Sequence, residues 1–143
     1  MTLARPDHLD TLMRLVADFH HEAGIAQDES ERRAALAPLL EGSPHGAIYL
    51  AGPVRAPIGY IVVTFGWSVS SGGLDGFVDE LYVRPGVRQR GIGTEMLLSL
   101  PKTLARAGLR AIHVETGRHG ARSLFSRAGF RPREETMLMS RRF

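Results

Sequence analysis

Between Asp7 and Ala23 the apolar residues Leu9, Leu12, Met13, Val16 and Phe19 recur at the spacing that lines one face of a helix. Pro6-Asp7 reads as its start and Gly24 as its stop. A second helix is expected from Asp28–Ser30, carrying Leu36, Leu39 and Leu40 and kinked or shortened by Pro38, which removes a backbone donor. The pattern then becomes strand-like. Ala47–Ala51 is a short apolar run, and Ile58–Phe65 is longer, β-branched and aromatic. Ser70-Ser71-Gly72-Gly73 separates it from a third strand over Phe77–Val83. A helix opens at Gly91 with Ile92, Met96, Leu97, Leu100 and Leu104 on one side and is expected to end at Gly108. Pro101 inside it would cost about 3 kcal/mol in a straight helix, so a kink is expected there. Arg110–Glu115 reads as a strand, Ala121–Ala128 as a short helix closed by Gly129, and Thr136–Phe143 as a last strand. The order is ααβββαβαβ. An antiparallel meander followed by a strand–helix–strand unit makes a mixed sheet, not a doubly wound nucleotide fold.

The length of 143 residues fits one domain over 1–143, and an apolar fraction of 43% is enough for a core. With 18 basic and 15 acidic residues the net charge is +3, and the arginines are interleaved with acids. A nucleic-acid binder usually shows a larger, clustered excess together with a stacking motif, so no nucleic-acid partner is expected. The lack of cysteine excludes disulfides, thiolate metal sites and cysteine nucleophiles. It also fits a cytoplasmic protein, as does a start that does not read as a signal peptide. No apolar run is long enough to span a membrane. His20-His21-Glu22 begins like HExxH, but Ile25 stands where the second histidine is needed, so no metal is expected.

The sharpest local feature runs from Leu81 to Thr94, Leu-Tyr-Val-Arg-Pro-Gly-Val-Arg-Gln-Arg-Gly-Ile-Gly-Thr. A strand ends, a turn follows, and two glycines with basic neighbours lead into a helix. Consecutive amides at a helix start form an anion-binding concavity, and Arg88 and Arg90 add charge suited to a diphosphate. The dinucleotide pattern fails because Met96 stands at its third glycine, and the P-loop Gly-Lys-Ser/Thr is absent. A plain turn with a glycine at a helix start is the alternative.

Arg88-x-x-Gly91-x-Gly93, after Asp79-Glu80-Leu81-Tyr82-Val83-Arg84-Pro85, resembles the coenzyme A signature of the GNAT-type N-acetyltransferases. A second block, from Ala121-Arg122-Ser123-Leu124-Phe125 to Gly129-Phe130, is similar to that superfamily's later helix and closing Gly-Phe. The element order matches as well, so the resemblance covers nearly the whole chain. It implies a single α/β (α+β) domain with a mixed, mostly antiparallel sheet. A central parallel strand pair would be splayed around the cofactor, with about four flanking helices. It further implies acetyl-CoA as acyl donor, with the pantetheine arm along Leu81, Tyr82 and Val83. The diphosphate would lie on the amides of Gln89, Arg90, Gly91, Ile92, Gly93 and Thr94, beside Arg88. Arg118 and Phe125 fall near the thiol, where relatives carry an asparagine and often a tyrosine. Phe125 has no hydroxyl to protonate a leaving thiolate, so it is expected to pack on the pantetheine while water or Ser123 supplies the proton.

The same resemblance makes an acidic residue on the first splayed strand the proton acceptor, and here the candidates are Glu80 and Asp79. Adjacent strand residues point to opposite faces, so one of them faces the cleft unless the strand bulges. Glu80 is favoured because the family's strand commonly bulges here; otherwise either carboxylate caps the sheet edge or pairs with an arginine. The acceptor would be framed by Phe19, His20, Glu22 and Trp67. That carboxylate-rich rim suits a cationic primary amine, either a small molecule or a lysine side chain. A solvated acidic surface is the plainer explanation, since acids near helix starts are common for electrostatic reasons. Relatives of this kind are often homodimers. The competing function is a catalytically silent coenzyme A-binding sensor, which the departures at Phe125 and Arg118 favour.

Overall fold

The computed structural model describes residues 1–117 and 121–143. One five-stranded sheet, ordered β1-β2-β3-β4-β5, carries helices on both faces. Its strands are β1 (Thr2–Leu3), β2 (Gly46–Ala51), β3 (Gly59–Ser68), β4 (Gly73–Val83) and β5 (Leu109–Val114). The helices are α1 (Leu9–Ala23), α2 (Glu29–Leu40), α3 (Ile92–Thr103) and α4 (Arg122–Arg127). The first four strands are antiparallel, and β5 returns parallel to β4 by way of α3. No helix among the described residues is long and apolar enough to cross a membrane.

Alternation along the central strands divides the core in two. Ile48, Leu50, Tyr60 and Val62 face α1 and α2, where Leu12, Leu15, Val16, Leu36 and Leu40 cover them. Tyr49, Ala51, Ile61 and Val63 face the other way, onto Met96, Leu97 and Leu100 of α3 and Phe125 of α4. Burial on both faces explains why the β2 and β3 segments read as nearly unbroken apolar runs. At the start of α2, Asp28 Oδ1 accepts from the Glu31 amide at 2.8 Å and Glu31 Oε2 from the Asp28 amide at 2.9 Å. This capping box explains two of the acids clustered between the first helices.

Both helical prolines act by ending their helices. Pro38 and Pro101 each lie two residues before the last residue of α2 and α3. Beyond α3 a short 3₁₀ turn, Ala105–Ala107, carries the chain to Gly108, whose φ of 71° makes the final reversal. The expected helix to Gly108 is therefore an α-helix to Thr103 followed by a tighter turn.

The last strand is corrected outright. Thr136–Phe143 forms no strand, and Met137, Leu138, Met139 and Phe143 are 86%, 66%, 86% and 110% exposed. Three consecutive apolar residues followed by Arg141-Arg142 lack the alternation that commits a strand to one face. Consequently the parallel β4–β5 pair is not central: β5 is the edge of the sheet. A groove of 1880 Å³ runs along that edge, lined by β5, α3, Phe130 and the segment up to Leu138.

Leu100, with no exposed surface, anchors α3 on the sheet. Leu100→Ala is expected to lower the unfolding free energy by about 2–5 kcal/mol in urea denaturation, the range for a fully buried leucine.

Candidate active site

The site is built where β4 and β5 part. Their pairing runs from Leu74↔Leu109 to Val78↔Val114 and stops there. From Glu80 to Val83, β4 keeps its β3 partner but has no neighbour on the β5 side. At the same point the β3–β4 register slips: Val62 lies opposite Glu80, and Val63 opposite Val78. Asp79 is thus the extra residue of a β-bulge. The bulge turns the residues after it over, so that Val78 packs toward α3 while Tyr82 lies among the α1–α2 cluster.

Beyond Val83 the chain is pinned by the Arg84 amide on the Ile58 carbonyl at 2.8 Å and by Arg84 Nε on the Pro57 carbonyl at 3.0 Å. It then turns through Pro85–Val87 into α3. Gln89 has φ = 60°, a left-handed conformation shared by no other described non-glycine residue, and Gly91 follows at 79°. Such alternation turns successive N–H groups inward. No side chain caps α3, and its first backbone bond is Glu95 N–H to the Gly91 carbonyl at 2.9 Å. The amides of Ile92, Gly93 and Thr94 are therefore free donors at the positive end of the helix, where an anion is favoured. Gly93 is small for a different reason. A Cβ there would lie 3.3 Å from Leu124 of α4 and 3.9 Å from Val83 of β4, closing the space between them.

This loop, the freed part of β4 and α4 enclose a cleft of 360 Å³. Phe19, Glu22, Leu81, Tyr82, Val83, Arg88, Gln89, Gly91, Ile92, Gly93 and Thr94 line it, together with Ala121, Leu124 and Arg127. Arg88 crosses its mouth. Its Nε donates to the Val83 carbonyl at 2.7 Å, one terminal nitrogen meets both Glu22 oxygens at 2.9 and 2.8 Å, and the guanidinium lies 5.4 Å from the Tyr82 ring centre.

Glu80 sits below, on the α1 side of β4, with only 16% of its side chain exposed. Tyr60 Oη–H donates to its Oε2 at 2.6 Å, and His20 Nε2 lies 2.6 Å from its Oε1. Burial, reinforced by the Glu80 charge and hydrogen bond, pushes the Tyr60 phenol far above its ordinary range. Asp79 makes no hydrogen bond among the described residues and remains exposed. Even so, atoms crowding its carboxyl desolvate it enough to raise its pKa above the ordinary 3.8. The charges of Glu80 and, more weakly, Glu115 add to the rise, while His20 opposes it.

Of the residues expected here from sequence, the structure gathers the Leu81–Val83 strand and most of the Arg88–Thr94 loop around one cleft. Arg90 is exposed and outside its lining. Phe19 and Glu22 reach the rim, but His20 is 5% exposed and lies behind it, on Glu80. Trp67 is 77% exposed and five residues along β3 from Val62, the residue facing Glu80, which is about 17 Å of strand. Phe125 is buried against Phe130, ring centres 5.7 Å apart, and Leu124 takes the place on the cleft wall expected of it. Arg118 lies outside the described residues. Among the described residues no three metal-ligating side chains gather.

Sequence reasoning missed Tyr60 and Leu124. For Tyr60 there was a signal, since a phenol inside an apolar strand needs a partner for its hydroxyl. It also missed a smaller group on the paired part of β4 and β5, where Asp75 accepts from Ser71 Oγ at 3.2 Å and meets His113 Nε2 at 3.2 Å.

The model of the acetyltransferase (GNAT) family matches residues 9–130 of the chain. An integron cassette protein from the mobile metagenome of Cole Harbour Salt Marsh is 35% identical, with a TM-score of 0.87 over 99% of this chain and 88% of that one. A Clostridium acetobutylicum protein described as a predicted acetyltransferase and solved with acetyl-CoA superposes with a TM-score of 0.79 at 18% identity, covering 96% and 93% of the two chains. An aminoglycoside N-acetyltransferase in complex with CoA does so with a TM-score of 0.82 at 16% identity, covering 99% and 93%. At these lower identities the likeness is one of fold. No curated protein gives a significant match.

A carboxyl whose pKa is raised by folding favours the folded state at low pH and loses that contribution as pH rises through the raised value. Asp79→Asn is therefore expected to melt higher than wild type at pH 7. The difference should shrink with falling pH and vanish below the ordinary value of 3.8. Thermal denaturation of both proteins across that range measures it.

Proposed function

The chain belongs to the GNAT acetyltransferase family, and from that membership we propose that it is an N-acetyltransferase acting on a cationic primary amine by direct attack in a ternary complex. Acetyl-CoA, which this fold uses, supplies the thioester carbonyl. One observation carries the reading: the unpaired stretch of β4 and the uncapped start of α3 line one cleft, and two carboxylates lie on β4 just past the point where β5 stops pairing. An extended pantetheine arm needs a strand edge, and a diphosphate needs converging N–H donors; the cleft offers both.

The chain's own part in the reaction follows from these positions. The amides of Ile92, Gly93 and Thr94 hold the diphosphate, with Arg127 on the cleft wall and Arg88 exchanging contacts with Glu22. The free backbone of Leu81–Val83 aligns the arm and offers an N–H toward the thioester oxygen. One of the two adjacent carboxylates, Asp79 or Glu80, accepts the proton that the attacking amine gives up, and with Glu22 they provide the negative field that draws in a cation. With phenylalanine at 125 turned into the core, the thiolate leaves to water. A thiol of this kind, with a pKa near about 8.5, is a tolerable leaving group without a dedicated acid. The bare edge of β5 beside exposed Met137, Leu138 and Met139 supports association with a second copy.

Acetyl-CoA at about 100 times its Kd is expected to add roughly 2.7 kcal/mol to stability. For a domain of this size that is on the order of 5–10 °C in Tm. ADP should give a clearly smaller shift, and a panel of polyamines, amino sugars and lysine peptides should reveal an acceptor through release of free thiol. The absence of any shift at millimolar acetyl-CoA would overturn the reading.

A further inference from the structure

Glu80 and Asp79 are neighbours in sequence but differ in every physical respect. Both Glu80 oxygens are engaged at 2.6 Å, one by the Tyr60 hydroxyl and the other by His20 Nε2. Tyr60 is fully buried and comes from β3; His20 is 5% exposed and comes from α1, so neither donor is free to swing away. Among the described residues His20 Nδ1 has no partner, and it is shut off from solvent. With Glu80 as the acceptor, the ring donates to it from Nε2. Adding a proton to Glu80 would set a new O–H beside two donors that already point at its oxygens. Asp79, by contrast, sits on the bulge, reaches solvent and is held by no hydrogen bond among the described residues.

Building on the acetyltransferase reading above, we propose that the two carboxylates divide the work: His20 and Tyr60 hold Glu80 as a fixed anion, and Asp79 is the group that takes the proton from the attacking amine. His20 is then a positioning residue, acting through Glu80. The groups that bear on the pair are His20 from α1, Tyr60 from β3, Glu80 and Tyr82 on β4, and Glu115 just beyond β5. Desolvation, and after it the acids among them, raise the Asp79 carboxyl, in keeping with a proton acceptor working closer to neutral pH. In the transfer, the ammonium first passes one proton to Asp79, directly or through one water, and Asp79 hands it on to solvent. The neutral amine nitrogen then bonds to the thioester carbon, the C–S bond breaks, and the proton still surplus on that nitrogen goes to the leaving thiolate or to water. Glu80 keeps its charge throughout and anchors the cationic acceptor.

Four variants and one titration test the division. Asp79→Asn should lower kcat by about 10²–10⁴, the usual worth of a positioned base, and leave the KM for acetyl-CoA unchanged. Glu80→Gln should act mainly on the KM of the amine, with kcat within about tenfold of wild type. His20→Phe, which removes the donor, should raise the amine KM as Glu80→Gln does. His20→Gln, whose amide reaches the same place, should restore it; a merely structural histidine would not be rescued in this parameter. Carboxyl ¹³C resonances of the ligand-free protein, followed against pH, should give Asp79 a midpoint above its ordinary 3.8. A kcat that falls further in Glu80→Gln than in Asp79→Asn, or an Asp79 midpoint at the ordinary value, would overturn the proposal while leaving the acetyltransferase reading intact. A wild-type chain that binds acetyl-CoA and acetylates no amine would remove both.

Discussion

One residue too many in β4 organises everything around the cleft. Asp79 has no partner on β3, so the strand on either side of it presents opposite faces. Before the bulge, Val78 fills the core beneath α3; after it, Glu80 meets Tyr60 and His20, and Tyr82 packs with the α1–α2 cluster. A regular strand would set Val78, Glu80 and Tyr82 on a single face, placing either a carboxylate under α3 or a valine against His20. The bulge also marks where β5 stops pairing, and a parallel neighbour that has diverged leaves Leu81–Val83 without a strand partner on that side, where Arg88 Nε meets the Val83 carbonyl. Unsatisfied strand edges are usually avoided because they invite other chains. Here the edge is recessed between α3 and α4, where an extended ligand can pair with it and a second sheet has no room.

The sequence disclosed those parts of the site that depend on backbone alone. The left-handed turn into α3 was legible from Gly91, and the close approach of α4 from Gly93. The helices and inner strands were legible from periodicity. The last strand was misread because Met137-Leu138-Met139 has strand-like composition but no alternation, and nothing local says whether an apolar run finds a partner. The role of His20 was hidden for another reason. Its contact with Glu80 joins residues 60 apart in sequence, and although it falls four residues after Val16 on the buried stripe, that spacing does not name its partner until α1 is laid on the sheet. Phe125 was misplaced by one position, since Leu124 occupies the cleft wall and a six-residue helix turns through about 100° per residue.

Several charged groups that invite a functional explanation have a structural one. Asp28 and Glu31 complete a capping box, and Asp10 meets Arg33 across the two first helices. The Glu22–Arg88 pair is different, although it too looks like a surface ion pair. At 41% and 40% exposure it contributes little to stability, yet it lies across the mouth of the cleft and holds the Val83 carbonyl through Arg88 Nε. A weak clasp in that position is compatible with a ligand that replaces Glu22 as the counter-charge of Arg88.

Burial of Glu80 sets the properties of its neighbour. A carboxylate kept on a sheet face with 16% of its surface exposed is tolerable only because Tyr60 and His20 supply its hydrogen bonds. The Asp79 carboxyl is raised first by its own desolvation, and the fixed Glu80 charge adds to that. Asp79 has no hydrogen-bond donor among the described residues to offset either effect. A fold selected for stability alone would place an amide or an apolar residue on the bulge. An aspartate there, beside a glutamate held by two donors, makes sense where a proton has to be taken up and released in every cycle.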